Sequence, residues 1–496
     1  MHDVVIIGGG HNGLTCACYL ARAGLSVRVL ERRAIVGGSA VTEEFHPGFR
    51  NSTAAYTVSL LNPKVIADLQ LARHGLKIVE RPIANFLPLS AQAGAYLKVG
   101  GGLAATQTQV ARYSKRDAER LPAYYAMLEE AAQVMRRLSL ETPPNAGGGL
   151  AEILPALKVM KSVNKLSLPA KRNLLALFAN SAGDLLDAWF ESAPLKAAFG
   201  FDAVVGNFAS PYAPGSAYVL LHHVFGEVNG KRGQWGHAIG GMGAISEAMA
   251  AEARVLGVAI DCDAEVAKLV VRDGRVTGVV LKDGREIAAR SVAANVNPKL
   301  LFLDLVEPRQ VEPDFLERMK NYRCASATLR MNVALSELPD FACLPAAGIH
   351  HQSGIIMAPS LAYMEQAWFD AHSGDMAAQP IVEMLIPSTV DDSLAPKGAH
   401  VASLFCQHFN PVLAHGKSWD DLREDAAERV IDTVNGFAPN FRASVLGRMT
   451  LTPLDLERRF GLTGGDIFHG ALSLDQLFSA RPVLGNANYR MPLAGL

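Results

Sequence analysis

The sequence predicts an α/β fold in which a Rossmann-like nucleotide-binding unit is interleaved with a mixed α+β cap. Three observations carry this reading. A short apolar strand, a glycine-rich turn and a small-residue helix follow one another at the N-terminus. Alternating strands with Asp-Gly turns return near residue 260. The stretches between these blocks are helical and mixed, and 496 residues make about three domain equivalents. The nucleotide unit is assigned to 1–75, 226–300 and 455–496, and the cap to 76–225 and 301–454.

Residues 3–7 read as a buried strand, followed at once by Gly8-Gly9-Gly10-His11-Asn12-Gly13 and by a helix over Leu14–Ala23. This is G-x-G-x-x-G in its mechanical context. Gly8 permits the tight turn, Gly10 removes a Cβ that would block a pyrophosphate, and Gly13 lets helix and strand pack closely. The free N–H groups of the helix start face the anion. Gly24 ends the helix and Ser26–Leu30 reads as the second strand. Glu31 stands at its end, 18 residues beyond Gly13, where a carboxylate accepts ribose hydroxyls and repels a 2′-phosphate. Neighbouring Arg32 and Arg33 therefore do not argue for NADP.

Between 65 and 225 the chain reads as helical and mixed, with Pro143-Pro144 and Gly147–Gly149 marking a loop. Residues 152–190 place Leu, Val, Ala and Phe between Lys158, Lys161, Lys165, Lys171 and Arg172. They read either as amphipathic helices packed on the body or as a peripheral membrane contact or apolar substrate entry. From 234 to 298 a helix over Ala244–Leu256 precedes strands at Ala259–Cys262, Glu265–Arg272, Arg275–Lys282 and Arg285–Val292, a β-meander turned by Asp273-Gly274 and Asp283-Gly284. The strand-like Thr328–Leu335, including Met331, reads as buried core or the lining of an apolar cavity. The pairs His222-His223 and His350-His351 point to opposite faces if extended, so no metal site is expected there.

Composition excludes several classes. Lys plus Arg is 47 against Asp plus Glu 48, a formal charge of -1, so no nucleic-acid partner is expected. Hydrophobic residues at 49% against 19% charged exclude a disordered chain. No apolar run reaches the roughly 18 residues of a membrane span. Only three residues precede Val4–Ile7, so no signal peptide fits ahead of that run, and a cytoplasmic compartment is expected. Six scattered cysteines make no disulfide framework, and Cys16 and Cys18 fall two apart on a helix, on nearly opposite sides. There is no C-x-x-C, H-E-x-x-H, Walker A or G-x-S-x-G.

The run VVIIGGGHNGLTCACYLARAGLSVRVLERRAIVGGSA, with Gly37-Gly38 six residues past Glu31, resembles the FAD fingerprint of the glutathione-reductase/amine-oxidase superfamily. AVTEEFHPGF (40–49), WGHAIGGMGAISEAMA (235–250) and GGDIFHGALSLDQL (464–477) with Arg481-Pro482 narrow this. Together they resemble the phytoene desaturase/dehydrogenase-related FAD-dependent oxidoreductases along nearly the whole chain. The resemblance implies FAD rather than free NAD, with the Gly37-Gly38 backbone near the flavin diphosphate or ribityl chain and the Val266 backbone against the adenine. The cofactor-binding set is thus Gly8, Gly10, His11, Asn12, Gly13, Glu31, Arg32, Gly37, Gly38 and Val266.

The segment Tyr489–Leu496 falls where the family pattern runs on into a Gly-rich stretch and a closing helix against the flavin. No redox-active cysteine pair follows the first helix, so thiol–disulfide exchange is not supported. The reading of function is hydride abstraction (dehydrogenation or desaturation) from an apolar small molecule, with the flavin re-oxidised by oxygen, a quinone or another acceptor. Amine or amino-acid oxidation and a flavin-fold interaction protein with little turnover are the alternatives. No side chain is singled out as catalytic.

Overall fold

The computed structural model describes residues 1–145, 149 and 152–496. Of the Gly147–Gly149 loop, Gly147 and Gly148 lie outside the described residues. Strand β1 (His2–Ile7) is apolar and almost wholly buried because both its faces are covered. It passes through the glycine turn into α1 (His11–Arg22) and returns as β2 (Val27–Leu30), which pairs parallel to β1. Helix α1 begins three residues earlier than the sequence pattern suggests, because its first turn is the glycine-rich segment itself.

The meander completes this sheet. Its order is Ala259–Asp261, β2, β1, Glu286–Ala294, Arg275–Leu281, Val266–Arg272. The last three strands are antiparallel to one another, as their Asp-Gly turns require, but Glu286–Ala294 lies parallel to β1. The meander is therefore an extension of the nucleotide sheet. Ala494 and Gly495 accept from the Val276 and Val292 N–H groups at 2.8 and 2.7 Å, which fastens the C-terminal residues to the strands Arg275–Leu281 and Glu286–Ala294.

A second, seven-stranded sheet contains Thr328–Leu335, whose eight residues are all buried, with Met331 in the core. The helix Trp419–Phe437 covers one face of it through Ala427, Val430, Ile431 and Val434. The other face carries helices including Lys115–Leu138 and Ala193–Val204. The histidine pairs are not extended. His222 ends the helix Ser216–His222, and His350-His351 sit in a short 3-10 turn with ring centroids 4.0 Å apart. Among the described residues no metal-binding group of His, Cys, Asp and Glu is present.

Gly13 shows how tightly α1 rests on the turn. A Cβ there would stand 2.2 Å from the Gly8 carbonyl oxygen and 3.0 Å from Asn295 Nδ2. Gly13→Ala is expected to cost about 1–3 kcal/mol by overpacking, read as a lower urea midpoint. Gly436→Ala, at a helical position with open space around it, should instead be neutral or stabilising by up to about 1 kcal/mol.

Candidate functional site

Three backbones meet where β1, β2 and Glu286–Ala294 end. Gly8 N–H donates to Leu30 O, Asn295 N–H to Ile7 O, and Gly37 N–H to Gly9 O, each at 2.8 Å. These bonds frame a cavity of about 590 Å³ lined by Gly8, Gly10, His11, Asn12, Glu31, Arg32, Gly37, Gly38 and Val266. Nine of the ten expected cofactor residues thus come together. The tenth, Gly13, lies behind the turn and acts by packing.

The lining fits a dinucleotide. Gly8 has φ of +98°, and its Cβ would stand 2.7 Å from Asn295 O, so only glycine turns the chain there. The nearest backbone to a Cβ on Gly10 is Gly38 Cα at 3.8 Å; that Cβ would project into the cradle between the two glycine pairs. Gly10 caps α1 without any side-chain hydrogen bond, leaving the helix N-terminus for an anion. Glu31 is only 5% exposed. It accepts from Gly9 N–H at 2.8 Å and Arg33 N–H at 2.9 Å, which fixes the carboxylate while each oxygen keeps a further lone pair. Ala264 N–H donates to Glu31 O at 2.8 Å and brings Val266 to the same wall.

Several wall residues were not evident from sequence. Asn295 follows the strand parallel to β1, and its side chain donates to Gly8 O at 3.4 Å. His469 reaches the cavity from a loop built around buried Asp466, whose carboxylate accepts from Ala325, Phe468 and Gly470 N–H and from Ser326 Oγ at 2.8–3.0 Å. Arg481 clamps that loop through the Phe468 and Gly470 carbonyls. Burial, with His469 close by, holds the His11 imidazole below its ordinary range.

A second cavity of about 430 Å³ lies between the cap helices and the seven-stranded sheet. Rings of Tyr56, Tyr124, Tyr125, Phe199 and Trp235 line it, together with Arg81, Asp202 and Glu383. Tyr56 donates to Glu383 Oε2 at 2.5 Å. The Arg330 guanidinium lies 4.2 Å from the Tyr56 ring centroid and is held by Ala54 O and Ser403 Oγ. Burial raises Glu383 from the usual carboxylate range against the pull of Arg81. The Asp202 carboxyl makes no hydrogen bond or ion pair to the described residues, and burial with the Glu383 charge pushes it up to about 8. His223 is pushed down to about 4 by burial and is neutral.

The two cavities share a wall. Ala55 N–H donates to Ser39 O at 3.0 Å; Ser39 lines the first cavity, and Tyr56, next to Ala55, lines the second. Phe468, adjacent to His469, packs edge-on against His222 and His223. The signal for the second site was a lone acid or base in an apolar element: Asp202 in APLKAAFGFDAV, Glu383 in MAAQPIVEML, Arg330 in TLRMNVAL.

This crest with its adjoining cavity defines an FAD-dependent oxidoreductase. Residues 13–329 match the family described as flavin containing amine oxidoreductase, and the chain belongs to it. It is 40% identical to pyridine nucleotide-disulfide oxidoreductase domain-containing protein 2 of Rattus norvegicus, over 100% of this chain and 89% of the relative. It is 23% identical to phytoene desaturase (lycopene-forming) of Pantoea ananas, over 99% and 92%. In fold it is similar to an oxidoreductase from Methanosarcina mazei, with a TM-score of 0.59 and 15% identity over 90% and 87% of the two chains. The expected family, fold and cofactor are confirmed.

Two outcomes follow. Glu31→Arg removes the ribose acceptor and places a cation at the adenosine end, so the purified variant should carry little FAD; wild-type stoichiometry would refute the site. Between about pH 4 and 8, Asp202 is protonated in the native protein and ionised once unfolded, so the native state binds the extra proton and its stability falls as pH rises. Asp202→Asn removes this. Its stability relative to wild type should rise by about 1–3 kcal/mol from pH 5 to pH 8 in urea titrations.

Proposed function

We propose that the protein dehydrogenates a small molecule of largely apolar body held in the second cavity. The observation that carries this is the shared wall: the Ser39–Ala55 hydrogen bond sets an aromatic-lined cavity beside the cradle that fits FAD. When bound, FAD supplies a two-electron acceptor for hydride from a substrate C–H bond, with oxygen, a quinone or another acceptor taking the pair onward. The chain's own part is positioning. Tyr124, Tyr125, Phe199 and Trp235 offer flat faces that orient an apolar body and exclude water. The Tyr56–Glu383 bond fixes both groups at the sheet wall. The relative named for phytoene desaturation supports such a body.

A second reading, amine oxidation, is favoured by one observation: the unpartnered Asp202 carboxyl faces a ring-lined space, a setting that suits an ammonium group. The family's description points the same way. Anaerobic mixing of the FAD-loaded protein with a panel of lipid-like alkenes and alcohols and of primary amines separates these. Loss of visible flavin absorbance with the lipid-like set alone is expected; loss with amines alone would establish the second reading, and loss with neither would overturn both.

We further propose a peripheral membrane contact through 152–190. The helices Ile153–Asn164 and Leu168–Ala179 leave Leu154 76% and Leu175 68% exposed, with lysines alongside. Among the described residues no helix is long and apolar enough to cross a membrane, so the contact is interfacial. The protein should co-sediment with anionic vesicles at low salt and release at high salt; absence of sedimentation at low salt would sink this.

A further inference from the structure

The second cavity contains an arginine that makes no ion pair with any described residue. Arg81 lines it, and its one side-chain hydrogen bond goes to Thr57 Oγ1, a neutral hydroxyl. No carboxylate of the described residues stands within ion-pair distance of it. Glu383 acts on Arg81 electrostatically without a hydrogen bond to it; its carboxylate accepts from Tyr56 and lies, more weakly, within the field of Arg330 as well. Arg330 is itself buried, without an ion pair, and its Nη1 has no partner. Arg81 and Arg330 thus share one buried carboxylate, which burial raises from the usual carboxylate range.

The remaining lining does not redress the balance. Asp202 holds its proton near neutrality. At the edge of the cavity Glu129 is shared between Arg136 at 2.9 Å and Arg232 at 3.0 Å, again two cations on one acid. His223 is neutral. A guanidinium enclosed by protein without a counter-ion is costly, and its planar fork matches a carboxylate through two parallel N–H···O bonds. Arg81 stands on the cavity wall with a hydroxyl as its one side-chain hydrogen-bond partner, which leaves its fork open to a single carboxylate. The facing walls are rings, which suit an apolar or aromatic body.

We propose that Arg81 anchors a carboxylate on the substrate, so that the molecule oxidised is a monocarboxylic acid with an apolar body. This rests on the reading of the second cavity as the substrate site. The acid seats on Arg81 beside the sheet wall while its body lies among Tyr124, Tyr125 and Phe199. An amine substrate would have to place its cation in the same cavity as the Arg81 guanidinium.

The test compares phenylacetate, 4-phenylbutyrate and octanoate with their neutral amides, by calorimetric titration of the FAD-loaded protein. At least one acid is expected to bind 10-fold or more tightly than its own amide. Arg81→Met should abolish that ratio while leaving the amide's affinity and the FAD content in place, and Arg81→Lys should retain part of the ratio. A merely structural role for Arg81 would weaken acid and amide together. Equal binding of every acid and its amide in the wild type overturns the proposal, as does a ratio that survives Arg81→Met; the wild-type comparison decides even if the variants do not fold. A preferred acid that leaves the flavin oxidised, with no other compound reducing it, would sink the dehydrogenase reading and spare the anchor. Flavin reduction by uncharged compounds with no preference for acids would do the reverse.

Discussion

Strand β1 is held between two parallel neighbours, and the nucleotide end of the molecule depends on that placement. With β2 on one side and Glu286–Ala294 on the other, three chains end at one crest. The connections leave in different directions, so a crevice opens at the crest, as at the switch points of other parallel sheets. A Cβ on Gly8 would stand 2.7 Å from the Asn295 carbonyl oxygen, and a side chain at Gly8 or Gly13 would force strand, helix and meander apart. The buried Glu31 carboxylate then ties the turn to the end of β2 through Gly9 N–H. Cofactor cradle and sheet assembly are therefore one structure.

The second cavity follows from the same arrangement at one remove. Residues 39–41 leave the cradle and pair with 53–55 through Ser39 O and Val41 O, which delivers Tyr56 to the seven-stranded sheet. There Tyr56 meets Glu383 and lies under Arg330, both on fully paired strands whose backbones cannot shift to relieve a misplaced charge. Glu383 stands on a paired strand, Asp202, Tyr124, Tyr125 and Phe199 on helices, and Arg81, Tyr56 and Trp235 on connecting segments. In the proposed function such a cavity would position the substrate by shape and by a few charges, which is the part hydride removal asks of the protein.

How much of this was legible in the sequence follows the range of the interactions. The glycine turn, Glu31, Gly37-Gly38 and the meander turns lie within short windows, and each has a local mechanical cause, so residue type and spacing give them away. The parallel placement of Glu286–Ala294 beside β1 was not legible, because it depends on the fit of residues nearly 290 positions apart. Without it Asn295 reads only as the end of a strand. The second cavity was out of reach for the same reason: Tyr56, Arg81, Asp202 and Glu383 come from four separate segments with no shared periodicity. What sequence did offer was the misfit of single charges in apolar elements, since a charge buried without a partner is costly enough to mark a site. For the histidine pairs the extended geometry considered from sequence does not occur, because one pair lies at a helix end and the other in a 3-10 turn.

The most direct test of the account is the visible absorbance spectrum of the purified protein, with the nucleotide released on denaturation identified by mass. One FAD per chain is expected, since the cradle, the helix N-terminus and the Glu31 carboxylate are all in place. A colourless protein that takes up no added FAD, or one that releases a nicotinamide dinucleotide instead, would contradict it.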